Sequence, residues 1–178
     1  SSLLSLLREG SGTYRTLIYT IKYIPEIKDF QYGASYFWAI TTVIPNLFGT
    51  EIHPAHLYYE GPSEWLRWTF SPIQASMGQG FGFSMIGEAY FNFGILGVAF
   101  IMFLFGYLMS KISKVSVNRE NSLNKVLLSI IFPNVIWGIR NPLSSIMRYM
   151  IWEIFILIAT LLFFEIIEKS QKRYNASV

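Results

Sequence analysis

From Ala89 to Ser110 the chain runs for 22 residues without a charged side chain. At 1.5 Å per helical residue that stretch matches a bilayer hydrocarbon core of roughly 30 Å, which makes a membrane span its natural fold. The composition agrees: 52% of residues are hydrophobic and 14% charged, against about 25% charged in an ordinary soluble domain. A water-soluble fold of this size would lack the charge to cover its surface. Aromatic residues, at 17%, suit places where an apolar phase meets water. Intrinsic disorder is excluded by the hydrophobicity. The absence of cysteine excludes a disulfide framework, an iron–sulfur cluster and a cysteine zinc site. A net charge of +3 is too small to point to a nucleic-acid partner.

Two further apolar runs follow. Leu123 to Ile139 has 17 residues, with Lys125 near one end and Pro133 inside, and reads as a marginal, kinked or re-entrant span. Leu143 to Ile167 carries Arg148 and Glu153 but is uninterrupted from Ile154 to Phe164, and is expected to cross. Asn141 suits the N-cap of this last helix and Pro142 its first position. The expected fold is all-α: a polytopic membrane protein with about three spans, near 85–110, 123–139 and 142–167, in a transmembrane region 81–178.

Charge placement orients these spans. Lys111, Lys114, Arg119 and Lys125 fill the connection 111–125, and Lys169, Lys172 and Arg173 follow the last span. Both segments belong in the cytoplasm by the positive-inside rule. The turn around Arg140 and all of residues 1–80 then face the other side. Prolines 25, 45, 54, 62 and 72 divide that large extracytoplasmic loop into short pieces. Within it, 30–50 has no charge for 21 positions. Gln31, Gly33, Ser35, Asn46 and Pro45 make it a poor lipid-facing helix, and an amphipathic helix on the outer surface is preferred to a fourth span. The chain starts at Ser1 with no signal peptide. A large outer loop has to leave from an earlier helix, so the chain reads as the C-terminal part of a longer polytopic protein.

Three groups of residues could carry chemistry. Ser84, Glu88 and Asn92 are spaced by four and share one stripe of the incoming helix. A polar stripe at the mouth of a span must face protein or a water-filled cavity. Glu88 is either a general base or a hydrogen-bonding partner for another helix, and Gly87, Gly94 and Gly97 suit close helix packing. Arg140 precedes the third span and Arg148 lies two turns inside it, on the stripe of Ser144 and Trp152. Two arginines at a positive helix end suit a phosphate or pyrophosphate, with lipid phosphates as the alternative ligand. Glu153 falls off that stripe and is expected to pair with another helix. His53 and His56 lack a third metal ligand, so no metal site is expected, and a base or substrate-binding role is left open for them beside plain loop positions. Around them, Glu51, Tyr58, Tyr59, Glu60, Glu64, Trp65, Arg67 and Trp68 fit a sugar-binding surface or a membrane-interface belt equally well.

At these residues the sequence resembles the Wzy-type oligosaccharide repeat unit polymerases of bacterial O-antigen and capsule assembly. The resemblance runs through Phe30-Gln-Tyr-Gly33-Ala-Ser35-Tyr36 to Ile44-Pro45, Gly82-Phe-Ser84 to Glu88-Ala-Tyr90-Phe-Asn92-Phe-Gly94, and Arg140-Asn-Pro through Arg148 to Trp152. It implies a metal-independent glycosyltransferase, without cofactor, in the bacterial inner membrane. Such an enzyme moves a growing glycan from undecaprenyl pyrophosphate onto the terminal hydroxyl of another lipid-linked repeat unit, at the outer face. A chain-length regulator protein is an implied partner. Glu88, or else His53 or His56, would take the hydroxyl proton. Arg140 and Arg148, with Arg67, would hold the pyrophosphate, and Ser84, Asn92 and Trp152 would complete the substrate site. An O-antigen ligase uses the same donor and is the nearest enzymatic alternative. A transporter or flippase would use the same intramembrane Glu and Arg as a substrate path.

Overall fold

The computed structural model of the chain describes residues 2–47, 53, 60–80, 82–117 and 122–177. All regular structure among them is helical, as expected, in seven helices. These are α1 (Ser2–Tyr23), α2 (Ala34–Thr41), α3 (Pro62–Phe70), α4 (Pro72–Ser76), α5 (Met85–Val117), α6 (Ser122–Trp137) and α7 (Leu143–Ser177).

Local chemistry explains where several of them begin. Pro62 and Pro72 open α3 and α4, where a missing N–H costs nothing. Glu64 in the first turn of α3 and Arg67 in its last complement the helix dipole. Ser84 caps α5 by accepting the Gly87 N–H at 3.0 Å. Helix α1 continues for 22 residues because the first proline, Pro25, falls beyond its end. The region before the first span therefore holds one long helix besides short pieces. At 8 residues α2 reaches only about 12 Å, far too little to cross a bilayer.

Two helices are long and apolar enough to span. Met85–Lys114 has 30 residues and Ser145–Lys172 has 28, lengths of about 45 and 42 Å. None of the most apolar 18-residue stretch of the latter is buried, as lipid-facing side chains require. The expected middle span is shorter than its apolar run implied. Helix α6 has 16 residues with Pro133 inside, about 24 Å, below the hydrocarbon thickness.

The turn after α6 folds back on the start of α5. Phe83 N–H donates to Arg140 O and Met85 N–H to Gly138 O, both at 3.1 Å. The starts of α5 and α7 and the end of α6 thus share one end of the bundle. Lys111, Lys114, Lys125, Lys169 and Lys172 lie toward the other.

Helix α5 is broken at Gly94, whose φ of 67° and ψ of −158° belong to a region essentially closed to residues with a Cβ. The break frees carbonyls that a continuous helix would use. Phe91 O accepts Gln31 N–H at 3.1 Å and Asn92 O accepts Tyr32 N–H at 3.0 Å. The Asn92 side chain completes the junction: Oδ1 accepts Gly33 N–H at 2.9 Å, while Nδ2 donates to Ser35 Oγ at 2.6 Å and Glu88 O at 2.8 Å. Non-helical backbone within a span is tolerated where protein covers it, and 31–35 is that cover.

A small core lies beside this junction. Ile24, Trp65, Leu66, Phe83 and Phe91 are buried together, with Tyr19, Phe30, Phe70 and Tyr90 around them. Trp65 meets Phe91 at 5.4 Å and Tyr19 stacks on Phe70 at 4.9 Å. At about 1.5–3 kcal/mol for each large side chain fully buried, this cluster is what fixes α1 and α3 against the mouth of α5.

Candidate functional site

The polar stripe of α5 faces inward as its spacing implied: Ser84, Glu88 and Asn92 are all buried. Glu88 is 0% exposed, and its Oε2 accepts the backbone N–H of Leu143, the first residue of α7. The carboxylate therefore caps a helix 55 residues away. Asn141, expected as that cap, instead turns back and donates Nδ2 to Trp137 O at 3.0 Å, the carbonyl at the end of α6 that also accepts the Arg140 N–H at 3.1 Å. The N-cap position was already served by the stronger, charged acceptor. Glu88 Oε1 is buried and has no hydrogen-bond partner, with the Ser35 hydroxyl as a polar neighbour of the carboxyl.

In front of this contact lies a cavity of about 210 Å³. One wall is the start of α3, with Gly61, Pro62, Ser63 and Glu64. The start of α7 adds Asn141, Pro142 and Ser145, and Gly82, Phe83 and Trp38 complete the lining. Two helix N-termini, each the positive end of a helix dipole, thus border one space. Gly61 is required there, because a Cβ at this position would lie 2.6 Å from the Trp38 ring. Glu88 does not line the cavity; it is buried and, through its bond to Leu143, holds the start of α7 in place.

The arginines are distributed around this space. Arg140 packs on Gly82, its Cγ 3.4 Å from where a Cβ would sit. Arg67 pairs with Glu64, Nη2 to Oε2 at 2.6 Å, and its Cδ lies 3.9 Å from the corresponding point on Gly80. Arg148 is exposed on α7, one turn beyond the cavity residue Ser145. Arg140 thus contacts the lining residue Gly82, and Arg67 the lining residue Glu64, without either arginine lining the cavity itself. Arg148 stands deeper along the span.

The remaining expected site residues are placed elsewhere. His53 is buried, with Nε2 2.7 Å from Ile44 O, and does not line the cavity. His56 lies outside the described residues. Trp152 donates Nε1–H to Val43 O at 3.2 Å, tying the segment after α2 to α7. The polar groups of Ser84 and Asn92 are engaged in the cap and the junction already described. Glu153 accepts Asn134 Nδ2 at 2.6 Å, the partner on another helix that its position called for.

Two groups near the site titrate away from their ordinary values. Burial raises the Tyr36 phenol, and the negative charge of Glu88 raises it further. Burial lowers the Lys28 ammonium, opposed by Glu60, whose Oε2 is 3.9 Å away. Lys28 also lies over the rings of Trp65 and Phe91, at 5.5 and 5.7 Å.

Sequence reasoning did not single out Trp38, Ser63 or Ser145 as site residues, and placed Glu64 only within a general surface. The available signal was Gly61-Pro62 followed by Ser63 and Glu64, a helix start carrying polar groups. What it was a start toward is a tertiary matter.

No curated protein and no solved structure matches the chain. The family model of O-antigen polysaccharide polymerase Wzy matches residues 1–171, nearly all of the sequence. With its apolar spans and inward-facing polar stripe, the chain belongs to the Wzy O-antigen polysaccharide polymerase family, membrane proteins that polymerise O-antigen.

Proposed function

We propose that this chain joins repeat units carried on undecaprenyl pyrophosphate, at the outer face of the bacterial inner membrane, as part of a multi-pass protein. The observation that carries this reading is the cavity between the N-termini of α3 and α7, with Arg140 packed at its rim. A donor of this kind leaves as a pyrophosphate, and the negative charge that develops on it must be met by cations or N–H donors. The α7 end supplies the Ser145 hydroxyl and Arg140 beside the positive end of the helix dipole, with Arg148 one turn further into the span. No metal is needed for that step in this reading, because the arginines and helix dipole provide the positive field. Glu88 is a positioning residue, since one carboxyl oxygen is committed to Leu143 and the group is sealed from the cavity.

The experiment is replacement of Arg140 or Arg148 by Ala in the intact protein, read as the glycan chain-length ladder at matched protein level. Collapse to single repeats is expected for Arg140→Ala and strong shortening for Arg148→Ala. Ladders of normal length from both variants would overturn the pyrophosphate site.

A further inference from the structure

We infer that Glu64 takes the proton of the acceptor hydroxyl, in a sugar subsite formed with Trp38 and Ser63 on the α3 side of the cavity. This rests on the polymerase reading above and extends it to the second substrate. The reaction needs a base as well as an anion site, and among the described residues the carboxylates divide clearly. Glu88 is capped onto α7 and walled off. Glu153 on α7 is bonded to Asn134 on α6. Glu60 faces Lys28. Glu64 is the carboxylate that lines the cavity.

Its surroundings suit the task. Arg67, one turn further along α3, holds Oε2 at 2.6 Å, and Arg67 is steadied by its packing near Gly80 and Trp68. A carboxylate anchored by one oxygen is oriented without being sealed, and the Glu64 side chain is 44% exposed. Trp38 lies against Gly61 and presents an aromatic surface to the same space. An aromatic ring beside a carboxylate and a hydroxyl is a common recipe for a pyranose: the ring covers apolar C–H groups while the polar atoms take the hydroxyls. The start of α7, to which the reading above assigns the donor's pyrophosphate, lines the same cavity, so acceptor and leaving group meet in one space.

The step balances as follows. The acceptor oxygen forms a bond to the donor's anomeric carbon while its proton passes to Glu64. The bond from that carbon to the pyrophosphate oxygen breaks, and the electron pair leaves on undecaprenyl pyrophosphate. Glu64 then returns its proton to water.

The test uses the intact protein in vesicles with purified lipid-pyrophosphate-linked repeat units, comparing wild type, Glu64→Gln and Glu64→Asp across pH. Glu64→Gln is expected to lose kcat by roughly 10²–10⁴-fold with a small change in KM, and to lose the acidic limb of the rate profile. Glu64→Asp keeps that limb at a reduced rate. Glu64→Gln turning over like wild type, or losing KM alone with the limb intact, overturns the assignment. Failure of the wild type itself to polymerise these units is a separate result and overturns the polymerase reading instead.

Discussion

Glu88 on α5 accepts the N–H of Leu143, so a single buried carboxyl fixes where α7 starts and which way its positive end points. The cavity depends on that bond, because the α7 wall from Asn141 to Ser145 is held in register by it. It also explains how a charged residue survives at the mouth of a span: an N–H donor and a helix dipole offset part of the cost of burial.

Glu88→Ala removes the cap and leaves the Leu143 N–H buried without an acceptor, a loss of about 1–3 kcal/mol. Glu88→Gln keeps an oxygen on that N–H and loses only the charge–dipole part, about 0.3–1 kcal/mol. Thermal unfolding in detergent should rank wild type above Glu88→Gln above Glu88→Ala, with shifts of ~2–4 °C per kcal/mol. The chain-length ladder should persist in Glu88→Gln. A ladder reduced to single repeats in a stable Glu88→Gln protein would restore Glu88 as the base.

Gly94→Ala places a Cβ on a backbone with φ of 67°, 3.3 Å from the Phe30 ring. The strain is about 1–3 kcal/mol, and relieving it by straightening α5 would withdraw the carbonyls that bind Gln31 and Tyr32. Gly106→Ala is the matched control, since nothing lies within 4 Å of a Cβ there and alanine favours a helix interior by about 0.5–1 kcal/mol. Protein level and Tm should fall for Gly94→Ala and hold or rise for Gly106→Ala. Equal behaviour of the two would show that the break is not required.

Lys28 supplies a pH dependence. Burial lowers its pKa below the ordinary 10.5, so between the folded-state value and 10.5 the unfolded chain binds more protons than the folded one. Stability therefore rises with pH through that window. The charged form burdens the fold below it. Lys28→Met should remove this alkaline rise and raise the neutral-pH midpoint, measured as Tm against pH. A rise that survives the substitution would assign it to another group.

Much of the architecture was legible from the residues alone. The uncharged run after Glu88 marked α5, and the four-residue spacing of Ser84, Glu88 and Asn92 marked its inward face, because helical periodicity is local. Less legible was the break at Gly94. A glycine in a span reads as a packing position, and only the approach of 31–35 to the freed carbonyls shows that the backbone turns there. Asn141 illustrates the same limit: a good capping residue in the right place lost that role to a carboxylate remote in sequence. The surroundings of the candidate site were legible in part. Arg140 and Arg67 stood out by charge at the mouth of a span, but Glu64 was one acid among several until the starts of α3 and α7 were seen to line one cavity.

The sequence by itself determined the membrane setting, the helical class and the separation of a basic end from a polar mouth. Each of these follows from hydrophobic length, periodicity or charge summed along neighbouring residues. Only the tertiary structure decided which polar groups support the fold and which line a cavity. Glu88 and Glu64 are chemically identical side chains, 24 positions apart. One is fully buried on a backbone amide; the other lines a cavity beside an arginine. That difference arises from contacts between distant segments, and no local pattern records it.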